Sequence, residues 1–163
     1  MMARVRKGRS CSPAHRAPVI TAFAAKTMKV SPIKLKDSKG YSLSLTIGRV
    51  YEVLGIEADT YRLLTDAESK PHGNDPVLYE PACFEIIDPE EPDFWICQYG
   101  EDGERYCYPP EWNEIGFFED YHEGKKEVRE RFWNMLKLYY PETWKERKGK
   151  ANIGFQRTPN GAC

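Results

Sequence analysis

Apolar and polar positions begin to alternate at Lys29, where "KVSPIKLK" steps weakly between the two before "DSKG" at 37–40 supplies a turn. The clearest strand signal follows in "LTIGRVYEVLGIEADTYRLLTD", residues 45–66. Val50, Tyr51, Val53, Leu54 and Ile56 form one arm and Tyr61, Leu63 and Leu64 the other, with Glu57, Ala58 and Asp59 between them. That pattern predicts a β-hairpin with a short loop, entered through a bend at Gly48. Residues 67–76 are dense in Gly, Pro, Asn and Asp and predict a loop. Two short apolar pieces, Val77–Glu80 and Phe84–Ile87, then read as strands joined at Pro81.

Past the acid- and proline-rich linker at 88–93, Phe94–Tyr99 and Glu104–Tyr108 flank "GEDG" and predict a second hairpin. With its loop centred on Asp102, Cys97 and Cys107 face each other. After Gly124 the period changes. Val128, Phe132, Met135, Leu136 and Tyr139 recur at helical spacing, so an amphipathic helix is expected up to Pro141, with Trp144 docking a short turn beyond it.

Composition bounds this outline. A chain of 163 residues, 40% hydrophobic and 30% charged, suits one domain with a real core and a wet exterior. No run of about 18 apolar residues is present, as a membrane-spanning helix would need. The basic "MMARVRKGRS" followed by the short apolar "APVITAFAA" is similar to an export signal, but Pro13 and Pro18 interrupt it and the run is short, so a disordered leader, or a start at Met28, is the expected reading. Five cysteines without a C-x-x-C pair argue against a disulfide framework, so the thiols, Cys97 and Cys107 included, are expected reduced and the protein cytoplasmic. The expected organisation is a leader over 1–28, a small β-barrel over 29–88, a hairpin, acidic loop and helix packed on it over 89–148, and a flexible tail over 149–163.

The barrel rests on a resemblance. G-x-V-Y-x-V in "GRVYEV", a second strand, a third, and the Pro-containing single turn of "YEPACFEII" resemble the Src-homology-3-like small barrel, whose last two strands are linked by a one-turn helix. The resemblance is architectural and carries no site residues over. More loosely, the "LTIGRVYEV" opening resembles small bacterial and phage proteins, among them immunity partners of toxins. The fold class expected is therefore mainly β, or α+β.

Charge sharpens the functional question. The net charge is only −1, yet residues 85–123 hold thirteen Asp and Glu against one Arg, while residues 1–39 and 124–163 are net basic. Within the acidic block, Glu111, Glu114, Glu119, Asp120 and Glu123 with His122 could supply acid–base chemistry, which requires one carboxyl raised by burial and another left ionised. "EDYHE" offers oxygen and imidazole ligands but one histidine, with His15 and His72 far off in sequence, so no metal site and no cofactor are expected. Specific nucleic-acid binding needs a basic stripe that the barrel segment lacks. What fits best is an acidic, aromatic surface for a basic protein partner, formed by Glu101, Asp102, Glu104, Tyr106, Tyr108, Trp112, Glu114, Glu119, Asp120 and Tyr121. The expectation is a non-catalytic bacterial immunity protein. The alternatives are a phage or host accessory protein that binds a peptide through the barrel, and a small carboxylate-dependent hydrolase.

Overall fold

The computed structural model describes residues 25–151, with side chains through Arg147. Most of the expected leader and tail, together with Cys11, His15 and Cys163, lies outside the described residues. The described residues form eight strands: β1 (Lys29–Pro32), β2 (Tyr51–Glu52), β3 (Gly55–Glu57), β4 (Thr60–Leu64), β5 (Pro76–Tyr79), β6 (Phe84–Asp88), β7 (Ile96–Tyr99) and β8 (Arg105–Tyr108). Three helices follow: α1 (Phe117–His122), α2 (Lys126–Tyr139) and α3 (Pro141–Ala151). All strand pairs are antiparallel, in one sheet ordered β2-β1-β6 and another ordered β5-β4-β3-β8-β7.

The expected single arm Val50–Ile56 is two strands in two sheets. Val53 N–H donates to the Met28 carbonyl at 2.8 Å, whereas Leu54 N–H donates to Arg62 at 2.9 Å, so the chain changes sheets within one residue. Alternation then sends successive side chains to opposite faces of the larger sheet. Val53, Ile56, Leu63 and Cys107 pack against Val30, Tyr51 and Phe84, the first core. Leu54, Leu64 and Tyr108 face the other way, onto Trp112, Phe118, Phe132, Leu136 and Tyr140, the second core. The architecture is therefore α+β in three layers: small sheet, large sheet, helices.

Residues 29–88 supply strands to both sheets, but neither sheet closes into a barrel. The second hairpin is not an appendage, because β8 pairs with β3 through Ile56↔Cys107 and Glu57↔Tyr106 and so extends the larger sheet. The turn between β5 and β6 is a 3₁₀ turn at Pro81–Cys83, as the sequence suggests. Ala58 and Asp59 both take positive φ, 46° and 62°, closing the β3–β4 hairpin in two residues, the backbone twist that suits right-twisted strands. Thr27 and Met28, expected in the leader, are buried; Met28 belongs to the first core.

On the helical side, Trp112 stacks against Phe132 at 4.8 Å and Tyr140 at 5.9 Å between ring centroids. Aromatic burial of this kind is worth roughly 1.5–3 kcal/mol per side chain. Pro141 ends α2 and also begins α3, since a first-turn proline loses no helical hydrogen bond. The expected short turn at Trp144 is thus an eleven-residue helix. Its anchor is Arg147, buried, which donates to the Thr65 carbonyl at 2.5 Å and to Asn74 Oδ1 at 2.9 Å and lies 3.8 Å from Asp66. Asp66 in turn accepts from Thr46, Arg49 and the Tyr51 hydroxyl.

Cys97 and Cys107 are joined by a disulfide, which corrects the expectation of reduced thiols. The two residues are directly paired across β7 and β8, which brings their Cα atoms to 4.1 Å. The thiol-based support for a cytoplasmic location therefore falls away. Among the described residues Cys83 is the free cysteine, and no helix is long and apolar enough to cross a membrane.

Candidate functional site

The helix-facing side of the larger sheet carries a buried charge. Arg62, on β4 in an otherwise apolar run, points under α1 and is 4% exposed. Every nitrogen of its guanidinium has an acceptor: Nε donates to the Tyr108 hydroxyl at 2.6 Å, Nη1 to the Pro76 carbonyl at 2.9 Å and Nη2 to Glu57 Oε2 at 2.6 Å. The Tyr108 hydroxyl donates to the same Glu57 oxygen at 2.6 Å. Phe118 covers the guanidinium, its ring centroid 3.8 Å away, a cation–π contact. Such satisfaction is what a buried ion requires.

The electrostatics follow from that geometry. Burial alone would raise the Glu57 carboxyl, but hydrogen bonds from Tyr108 and Arg62 outweigh it and hold the group below its ordinary value. Burial pushes the Tyr108 hydroxyl well up, so it remains a donor. His122, at the end of α1, is lowered by desolvation and by the nearby Arg62 charge.

Beside this cluster opens a cleft of about 260 Å³ whose lining includes Glu57, Gln98, Tyr106, Ile115, Phe118 and Glu119. A neighbouring hollow of about 510 Å³ shares Glu57, Phe118 and Glu119 and adds Arg62, Leu78 and His122. Ile115 is wholly exposed at the rim. Glu119 is exposed on the first turn of α1, and among the described residues it forms no ion pair. The Glu57 charge in the cleft wall is matched by Arg62 and that of Glu114 at the rim by Arg131, so Glu119, beside the bare Ile115, is the acid placed to meet a cationic group carried on an apolar stem.

The ten expected partner-binding residues divide. Glu101 and Asp102 are exposed on the β7–β8 turn. Glu104 folds back, accepting from the Asp102 amide at 3.0 Å and from Tyr106, which lines the cleft. Glu114 is exposed and bridged to Arg131 at 2.8 Å, and Asp120 is bridged to Lys125 at 2.5 Å. Tyr108, Trp112 and Tyr121 are 4%, 1% and 4% exposed and belong to the second core, and Tyr108 and Trp112 also form part of the cleft lining. The physical reason is that α1 folds back over the sheet and buries the aromatic side of "EWNEIGFFEDYHEG" while its acids stay outside.

Of the groups weighed for catalysis, Glu119 and His122 line the larger hollow together, while the remaining carboxylates are engaged elsewhere. Glu111 accepts from the Tyr139 hydroxyl at 2.8 Å, Glu114 meets Arg131, and Asp120 and Glu123 meet Lys125. Glu57 and Arg62, the electrostatic centre, escape notice in the sequence because Glu57 reads as a loop residue and Arg62 as an outward strand position. The available signal is an arginine inside "TYRLLT", a run whose Leu63 and Leu64 are both buried. Among the described residues no group of three or more His, Cys, Asp or Glu is placed to hold a metal ion. Compared with known protein families, curated proteins and solved structures, the chain matches none of them.

Proposed function

We propose that this chain is a non-catalytic binding module that receives a basic protein at the acidic cleft beside α1, in the manner of a bacterial immunity protein blocking a toxin. The observation that carries the reading is the juxtaposition of the wholly exposed Ile115 with the exposed Glu119 at one concavity, where Glu114 adds a surface acid that exchanges readily between Arg131 and a partner. Complementary charge speeds encounter, and an apolar contact at its centre supplies affinity. The acidic block of residues 85–123 extends the same sign of charge around the cleft through the β7–β8 turn. We also take the two sheets of residues 29–88, with their one-turn helix, as an opened relative of the Src-homology-3-like barrel; the strand order around Pro81–Cys83 supports it.

The direct test is titration of the full chain with a lysine-rich peptide bearing one leucine, followed by amide chemical shifts. Shifts concentrated at Glu57, Tyr106, Ile115 and Glu119, and lost in the double variant Glu114→Lys/Glu119→Lys, are expected. Shifts that scatter over the surface, or that survive the double reversal, would sink the assignment. Co-purification with the product of an adjacent toxin gene would extend the reading from a basic peptide to a particular partner.

A further inference from the structure

We infer that the Cys97–Cys107 bridge is a thiol–disulfide exchange site, opened at Cys97 by a dithiol reductant, with Arg105 stabilising the Cys107 thiolate that leaves. The two sulfurs differ sharply in access. Cys97 is exposed on β7, the edge strand of the larger sheet, whereas Cys107 is fully buried on β8. An incoming thiolate can therefore reach one end of the bridge only.

The other end is prepared for charge. Arg105, two residues before Cys107 and on the same strand face, places Nη2 3.3 Å from Cys107 Sγ and 3.8 Å from Cys97 Sγ. The same Nη2 is bridged to Glu91 at 2.8 Å, which fixes the guanidinium over the bridge, and Nε is buried without a hydrogen-bond partner, a donor free to turn to a sulfur that gains charge. A cation against sulfur lowers a thiol's pKa, and a lower-pKa thiol leaves faster.

The step balances with a dithiol. Its thiolate attacks Cys97 Sγ, a new sulfur–sulfur bond forms there, the Cys97–Cys107 bond breaks, and the electron pair leaves on Cys107 beside Arg105. The second thiol of the reductant then attacks the reductant's own sulfur in the mixed disulfide. Cys97 leaves as a thiolate that takes a proton from water, and the reductant ends as a disulfide. Opening unlinks the edge strand from its neighbour. Since the register puts Cys97, Cys107 and Ile56 on the face opposite Glu57, Tyr106 and Gln98, the exchange does not depend on the proposed partner cleft.

The test uses the full oxidised chain with two probes. Reduced glutathione, a monothiol, traps the mixed disulfide for peptide-level mass spectrometry, and dithiothreitol, with alkylation of released thiols, gives the opening rate. Glutathione should be found on Cys97 and not on Cys107. The variant Arg105→Gln should open roughly tenfold more slowly, with Arg105→Lys recovering part of the rate. Direction separates the proposal from a structural role: loosening of the hairpin would expose Cys107 and speed opening. Glutathione on Cys107, or an Arg105→Gln rate equal to or above that of the wild type, would overturn the assignment.

Discussion

At the scale of single residues, Arg62 is the side chain on which the second core and the candidate cleft both depend. Removing one partner of a buried, hydrogen-bonded ion pair strands the other, so Arg62→Met is expected to cost about 3 kcal/mol, read by urea denaturation at neutral pH. The pH dependence has a definite sign. A carboxyl held low in the folded state contributes stability that is present above its ordinary value, near 4.5, and lost as pH falls through the folded value. The wild type should therefore lose stability on acidification below about pH 4.5, and Arg62→Met should flatten that loss. His122 is likewise lowered, so its neutral form is favoured on folding; stability from it is present above about 6.5 and declines as pH falls below that. Denaturation midpoints of His122→Gln against wild type between pH 7 and 5 check this: the variant should lack the decline.

At the scale of elements, β3 approaches β8 so closely that Gly55 is required for space. A Cβ there would collide with the Tyr108 ring and the Cys107 carbonyl. Gly55→Ala should cost about 1–3 kcal/mol and displace the tyrosine from Arg62, visible as a lower thermal midpoint with altered near-ultraviolet dichroism. Trp112→Ala should cost more, about 3–5 kcal/mol, because two stacked rings lose their partner. Elements that bury an apolar stripe were legible from their spacing: α2 through Phe132 and Leu136, and the two hairpins through their alternation. Helix α3 was not, because its inward contacts are made by Arg147, Thr143 and the single apolar Trp144, and no hydrophobic period marks it. Helix α1 was hidden by the acids around its aromatics. The chain's change of sheet at Val53–Leu54 leaves no trace in a pattern that continues apolar through both residues. In the candidate site the acidic rim could be read from charge counting alone, whereas Glu57 required the cross-strand register to find it.

At the scale of the whole molecule, near-neutral net charge coexists with a strongly acidic segment, so binding should be governed by local field and not by total charge. Affinity for a lysine-rich probe should fall as ionic strength rises from 50 to 500 mM, measured by calorimetry, because charges at an exposed rim are screened within about 10 Å or less. Glu114→Lys/Glu119→Lys should leave unfolding free energy within roughly 1 kcal/mol of wild type while lowering that affinity at least about tenfold. Stability and recognition would thus separate at this surface.

The burial of Arg147 has a consequence for how the molecule opens. Its guanidinium bonds the Thr65 carbonyl just beyond β4 and Asn74 just before β5, so α3 cannot lift away without stranding those acceptors and uncovering Asp66. A helix with so little apolar surface would ordinarily fray on its own. Here its amide protons should exchange with solvent at the rate of β4 and β5, as one cooperative unit, and Arg147→Ala should release the helix to exchange early while the strands stay protected.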